Sequence, residues 1–320
     1  MLHVWWLLAR DPALRSMDQE RNGDRHVWAP ILTSAFCPQA TVRSRPIAEV
    51  RTASDGGIMK QIVLAFLLTV SVFFSSDVAA AQIAIPSSQM VVQPDAQAEP
   101  IVVLIQYDPW AMVIGSDSPM FVLYDDGTAI YRRGSGHCAA HLSSSELRAF
   151  LATLRPDRLG EQNRSFALSN STDQPSTVIH VETGSTYSRV SIYGSLRSTE
   201  DRAALPIEVA DIYQTLSAFE WHGETPWLPE AIEVMIWPYE YAPDESIIWP
   251  EGWPDTGHPD TYQRGDGYSL YIPATDYQAL RDFLSTRHQR GAVLIDGRKW
   301  AASVRFPFPK ETRWMGAMEE

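Results

Sequence analysis

An apolar run over residues 62–74, headed by Met59-Lys60-Gln61 and followed by Ser75-Ser76-Asp77-Val78-Ala79-Ala80-Ala81-Gln82, limits which residues can take part in a fold. A positive head, a short apolar stretch and small residues in that order form an export signal. A membrane-crossing helix needs about 20 apolar residues, more than this run supplies. The alanine step predicts cleavage before Gln82, with the bond before Ala81 as second choice. An uncleaved anchor, with residues 1–58 on the cytoplasmic side, is the alternative. No cysteine lies near the step, which argues against a lipid anchor. Residues 1–58 hold scattered Trp, Arg and Pro with no helical or alternating period. Asp55-Gly56-Gly57-Ile58 stands just before Met59, and we expect translation to start there, making 1–58 a doubtful extension. The expected location is periplasmic or secreted, with no stable membrane insertion after cleavage at the end of the 59–81 signal.

The expected mature chain, 82–320, is long enough to bury a real core. It carries 18 Lys and Arg against 32 Asp and Glu, a net charge of −14. Such a surface repels nucleic acid and anionic lipid headgroups, so neither is an expected partner. Only Lys299 and Lys310 are lysines there. Cys37 falls in the doubtful extension, so Cys138 is expected to stand alone, as a small buried residue or a free thiol, with no intrachain disulfide.

The sequence predicts an α+β fold: antiparallel hairpins with single helices packed on one face. Residues 82–100 are polar and Pro-bearing and read as a flexible lead-in. Strands are expected at 101–107, 120–124, 128–133, 177–182 and 187–193. Asp125-Asp126-Gly127 supplies a hairpin turn, because glycine accepts the positive φ required. Helices are expected at 143–154, with Ser143 and Glu146 as a capping box, and at 206–219. These make a first unit over 101–222. A Trp- and Pro-rich acidic segment follows over 223–267, holding a strand at 231–237 and a long loop. A second unit over 268–309 has strands at 268–272, 292–295 and 299–306, a helix at 275–286 with Thr275 and Gln278 as a second capping box, and another Asp-Gly turn at 296–297. Residues 310–320 read as a loose tail. Leu147-Arg148-x-Phe150-Leu151-x-Thr153 echoes Leu280-Arg281-x-Phe283-Leu284-x-Thr286, so the two halves are candidates for similar ββαββ units.

Residues 203–263 contain no Lys or Arg and twelve Asp and Glu, together with a run of aromatic rings. Rings beside carboxylates suit sugar faces or cationic ligands, and proline holds such a loop open. Trp227, Trp237, Tyr239, Tyr241, Trp249 and Trp253 are therefore candidate ligand-binding residues. The competing reading is that Trp-Pro pairs pack as a lid on the core. His137, Cys138 and His141 have a metal-like spacing, with His180 as a distant fourth, but no second Cys or His cluster follows, and a zinc site needs three or four ligands. An ordinary loop after a hairpin is the alternative. Cys138 with His141 is the only short-range nucleophile pair, and Glu230, Glu233, Glu240 and Glu251 are the carboxylates available for glycoside hydrolysis. There is no nucleophile elbow, phosphate-cradling glycine loop or calcium loop. No catalytic residue, metal or cofactor is therefore assigned.

Three patterns, Phe121-x-Leu123-Tyr124-x-Asp126-Gly127-Thr128-x-Ile130-Tyr131, Leu142-Ser143-x-x-Glu146-Leu147, and Thr172-Asp173-x-x-Ser176-Thr177 with Tyr193-Gly194, resemble exported bacterial proteins of unknown function. The resemblance covers roughly residues 115–220. It implies a bacterial envelope location and brings no catalytic residues. The expected function is a non-catalytic envelope module that binds a protein, peptide or glycan. The alternatives are a hydrolase using Cys138 with His141 or an acidic-loop carboxylate pair, and a purely structural envelope protein.

Overall fold

The structure, a computed structural model, describes residues 92–159, 163–183 and 186–315. The expected extension, signal and cleavage site lie outside the described residues. All described residues belong to one compact unit. Two mixed sheets and a few short helices make an α+β fold. No helix among the described residues is long and apolar enough to cross a membrane.

The first sheet has eight strands: β1 Pro100–Tyr107, β2 Phe121–Tyr124, β3 Thr128–Arg133, β4 Gly136–His141, β5 Asn163–Ala167, β6 Ser176–Thr183, β7 Thr186–Tyr193 and β8 Thr225–Trp227. Their order is β5-β7-β6-β1-β2-β3-β4-β8, antiparallel except for the β5–β7 pair. Side chains alternate between faces along a strand, and here both faces are buried. Val102, Leu104, Phe121, Leu123, Tyr131 and Cys138 face a core closed by helices. Val103, Val122, Tyr124, Ile130 and Trp227 face a second core shared with the second sheet.

The first helix, α1 Ser144–Leu154, has the expected capping box, with the Ser143 amide donating to Glu146 Oε2 at 2.8 Å. Arg155, in the left-handed region, and Pro156 end it. Residues Thr199–Ala203 form the short α2. Next, α3 Ile207–Ser217 turns Val209, Ile212, Tyr213 and Leu216 onto the first core.

The second sheet has six strands: β9 Ala231–Pro238, β10 Asp244–Ile248, β11 Tyr262–Arg264, β12 Gly267–Pro273, β13 Gly291–Ile295 and β14 Arg298–Arg305. Their order is β10-β13-β14-β9-β12-β11, with β10–β13 parallel. The turn between β13 and β14 has positive φ at both Asp296 and Gly297, the twist that suits a two-residue hairpin. Between β12 and β13 lies α4 Tyr277–Ser285, with Leu280 buried in the second core. The last element is α5 Thr312–Met315.

Several expectations are corrected. The expected strand at 231–237 forms as β9, but the rest of the acidic segment is not one long loop: β8 joins the first sheet, and β10 and β11 join the second. Residues 136–141 are a strand rather than a loop, because β3 offers a partner to a Gly- and Ala-rich segment of weak β-propensity. The Thr275–Gln278 capping box does not form, since a 3₁₀ turn occupies Ala274–Asp276 and α4 starts from Asp276 without a side-chain cap. The described part of the lead-in is anchored. Asp126 Oδ2 accepts from the Asp95 amide at 2.8 Å, and Gln93 Oε1 accepts from Trp227 Nε1 at 3.0 Å. The tail is anchored to Met315, with Trp314 buried and Lys310 paired to Glu99 at 2.5 Å. The helical echo does not extend to strand order. After α1, the earlier strand of the β6–β7 hairpin, β6, lies against β1, whereas after α4 the later strand of the β13–β14 hairpin, β14, lies against β9. β6 and β7 pair in register from Ser176 with Tyr193 to Thr183 with Thr186, and residues 184–185 lie outside the described residues.

Candidate ligand-binding groove

β9 alternates Ile232, Val234 and Ile236 into the shared core with Glu233, Met235 and Trp237 on its other face. Glu233 is fully buried there. Strand register sets Arg305 and Tyr271 directly beside it. Glu233 Oε1 accepts from Arg264 Nη2 at 3.0 Å and Ser269 Oγ at 2.6 Å, while Oε2 accepts from Arg305 Nη1 at 2.5 Å. Arg305 also donates to both oxygens of Glu311, at 3.0 and 2.5 Å. Burial alone would lower the Arg305 pKa, but the hydrogen bonds it donates to Glu311 and the charges of Glu311 and Glu233 together raise it. Two arginines and two glutamates thus form a neutral cluster under β9.

The opposite wall is the 108–120 loop between β1 and β2. Ser303 Oγ of β14 accepts from the Val113 amide at 3.1 Å, and Ser118 Oγ accepts from the Phe306 amide at 2.8 Å. These bonds hold the loop against the second sheet, and Val113 packs with Met235 and Ala301. Trp110 Nε1 donates to the Asp173 carbonyl at 3.1 Å. Between loop and sheet opens a groove of about 370 Å³, lined by Tyr107, Ile114, Asp117, Met235, Trp237, Arg264, Tyr268 and Arg305 among others. This falls in the usual size range of ligand sites. Ile114 is 76% exposed and Trp237 52% exposed at its rim. Burial raises the Asp117 pKa, with the Asp108 charge adding to the effect. Burial, helped by the Asp117 charge, pushes the Tyr107 phenol up to about 12. A larger hollow of about 580 Å³ between α1 and α3 is lined largely by solvent-facing helix side chains such as Arg155, Arg158 and Asp211.

The six aromatic residues singled out from sequence divide sharply. Trp227 is 2% exposed and lies against His137 and Phe308. Trp249 is buried with its Nε1 on the Pro254 carbonyl at 3.0 Å, and half-buried Trp253 and Phe283 pack around it. These three rings act as core, which is the competing reading of the Trp-Pro pairs. Tyr239 is half-buried beside Val113. Tyr241 is 94% exposed, beyond the end of β9. Only Trp237 lines the groove.

The Cys138–His141 pair is not assembled. Residues three apart on a strand point to opposite faces: Cys138 lies in the first core, while His141 is exposed. Cys138 is also disulfide-bonded, which corrects the expectation of a lone thiol. The other cysteine, Cys37, lies outside the described residues. Among the described residues no three metal-capable side chains converge. His137 and His180 are both buried. Of the carboxylates, Glu233 is locked by arginines, Glu240 pairs with Arg298 at 3.1 Å, and Glu230 and Glu251 are exposed. Asp117, Ile114 and Arg264 were not legible as site residues. The one available signal was Arg264, the first basic residue after the long stretch without any. No family model, curated protein or solved structure matches the chain.

Proposed function

We propose that this chain is an exported, non-catalytic module of the bacterial envelope that binds a protein, peptide or glycan at the groove between the 108–120 loop and β9. The observation that carries this reading is Trp237. It is the one candidate tryptophan that is exposed, and it stands with exposed Ile114 at the rim of a groove. Exposed apolar side chains gathered at a concave rim are what a contact surface requires. The export-type segment at 59–81, the acidic composition and the resemblance of residues 115–220 to exported bacterial proteins support the location.

The test uses the immobilised protein and a detergent-solubilised envelope fraction. The wild-type protein is expected to retain a component saturably, and Trp237→Ala with Ile114→Ser to release it while the melting temperature is kept. Retention of every component by the double variant would overturn the reading.

A further inference from the structure

We propose that the groove takes the cationic side chain of a lysine- or arginine-bearing peptide, with Asp117 as counter-ion and Trp237 as aromatic wall. This rests on the reading of the groove as the contact surface. The charge inventory points to it. Three charged side chains line the groove: Asp117, Arg264 and Arg305. Both arginines are already matched by Glu233 and Glu311. An anionic ligand would have to compete with Glu233 for Arg264.

Asp117 is different. Its Oδ2 accepts from the Asp108 amide at 3.3 Å, and the Asp108 carboxylate repels it. Arg132 attracts it only from beyond ion-pair distance, since Asp117 forms no ion pair within 4.0 Å among the described residues. The uncompensated charge facing the groove is therefore negative. A wholly apolar ligand would strip water from that carboxylate without replacing it. A cation restores the lost interaction and gains from the Trp237 face.

The floor decides between a compact amine and a long side chain. Val113 and Met235 give it an apolar surface, which suits the methylene stem of lysine or arginine with its charge at the far end. The net charge of −13 for the whole chain draws a basic partner from a distance.

The experiment follows tryptophan fluorescence and calorimetry of the intact protein with a short blocked peptide carrying a central lysine. Its Nε-acetylated twin and tetramethylammonium are the comparison ligands. The lysine peptide is expected to bind at least about tenfold more tightly than its twin, the size of one charge-assisted contact. Asp117→Asn should abolish that difference, while Glu240→Gln, a carboxylate paired outside the groove, should leave it intact. Equal affinity of the twins, equal effects of the two substitutions, or tetramethylammonium binding as well as the lysine peptide would overturn the proposal. The twin comparison needs no variant, so it holds even if Asp117→Asn destabilises the protein. If the lysine peptide fails while a Trp237-dependent envelope component is still retained, the cation assignment falls and the groove reading stands.

Discussion

Acid should weaken this protein through His137. The ring enters the second core from β4, with the rings of Trp227, Phe306 and Phe308 at centroid distances of 6.1, 5.3 and 5.4 Å. Nε2 lies 3.0 Å from the Pro119 carbonyl oxygen. That oxygen only accepts, so Nε2 carries the hydrogen and Nδ1 is bare. Nδ1 is buried with no hydrogen-bond partner among the described residues. Protonation would place a charged N–H in apolar surroundings with nothing to receive it. Burial accordingly lowers the pKa from 6.5 to about 4, with the Pro119 bond opposing and Arg132 adding a little. The unfolded chain takes up this proton near pH 6.5 and the folded chain does not until about pH 4. Between those values the unfolded state binds more protons, so stability falls as pH falls and recovers as pH rises. A shift of that size removes about 2 kcal/mol between pH 7 and pH 5, and about 3 kcal/mol once below pH 4. Urea unfolding at pH 7 and pH 5 measures it, on wild type and on His137→Gln, which keeps an N–H for Pro119. The variant should lose about 2 kcal/mol less than wild type over that interval. Equal losses would refute the argument. Glu99 and Glu146 have pKa values held below the usual carboxylate range, by the hydrogen bond with Lys310 and those with Ser143, so they titrate below this window.

Other outcomes follow from the same contacts. His180, also lowered to about 4 by burial and by the Arg189 and Arg313 charges, should contribute a similar acid loss, removed by His180→Gln in the same assay. Its neighbour Glu182, 3.8 Å away, is shared with Arg313 at 3.7 Å and offsets little. Glu233→Ala leaves Arg305 buried with one partner fewer and should cost about 3–5 kcal/mol by chemical denaturation. Gly127→Ala should destabilise far more than Gly297→Ala, although both have positive φ. A Cβ at 127 would lie 2.2 Å from the Leu142 carbonyl oxygen, whereas one at 297 meets nothing within 4 Å. The second substitution should cost only about 1 kcal/mol in melting experiments. Trp227→Ala should cost about 3–5 kcal/mol as a buried large-to-small change, while Tyr241→Ala should stay within about 0.5 kcal/mol.

The local rules of the chain were legible wherever neighbours in sequence make the structure. Ser143 and Glu146 cap a helix because both bonds close within one turn. Asp126-Gly127 and Asp296-Gly297 reverse the chain because the required φ belongs to those residues. Strand β4 was illegible, since Gly136, Ala139 and Ala140 have no preference of their own and pair only because β3 is present. The candidate site was half legible. The aromatic stretch pointed to β9, but burial depends on what lies opposite, and nothing local separates Trp237 from Trp227 or Trp249.

By itself the sequence determined the α+β class, the hairpin and capping positions and the acidic balance, since turns, caps and side-chain alternation act over a few residues. Only the tertiary structure decided which rings are core, that Cys138 and His141 face apart, and that Asp117 comes to lie in the groove lined by Trp237. The rings and the groove depend on residues more than a hundred positions apart, such as Val113 and Ser303. Their meeting is set by how two sheets share one apolar core, a property of the whole buried surface rather than of any segment.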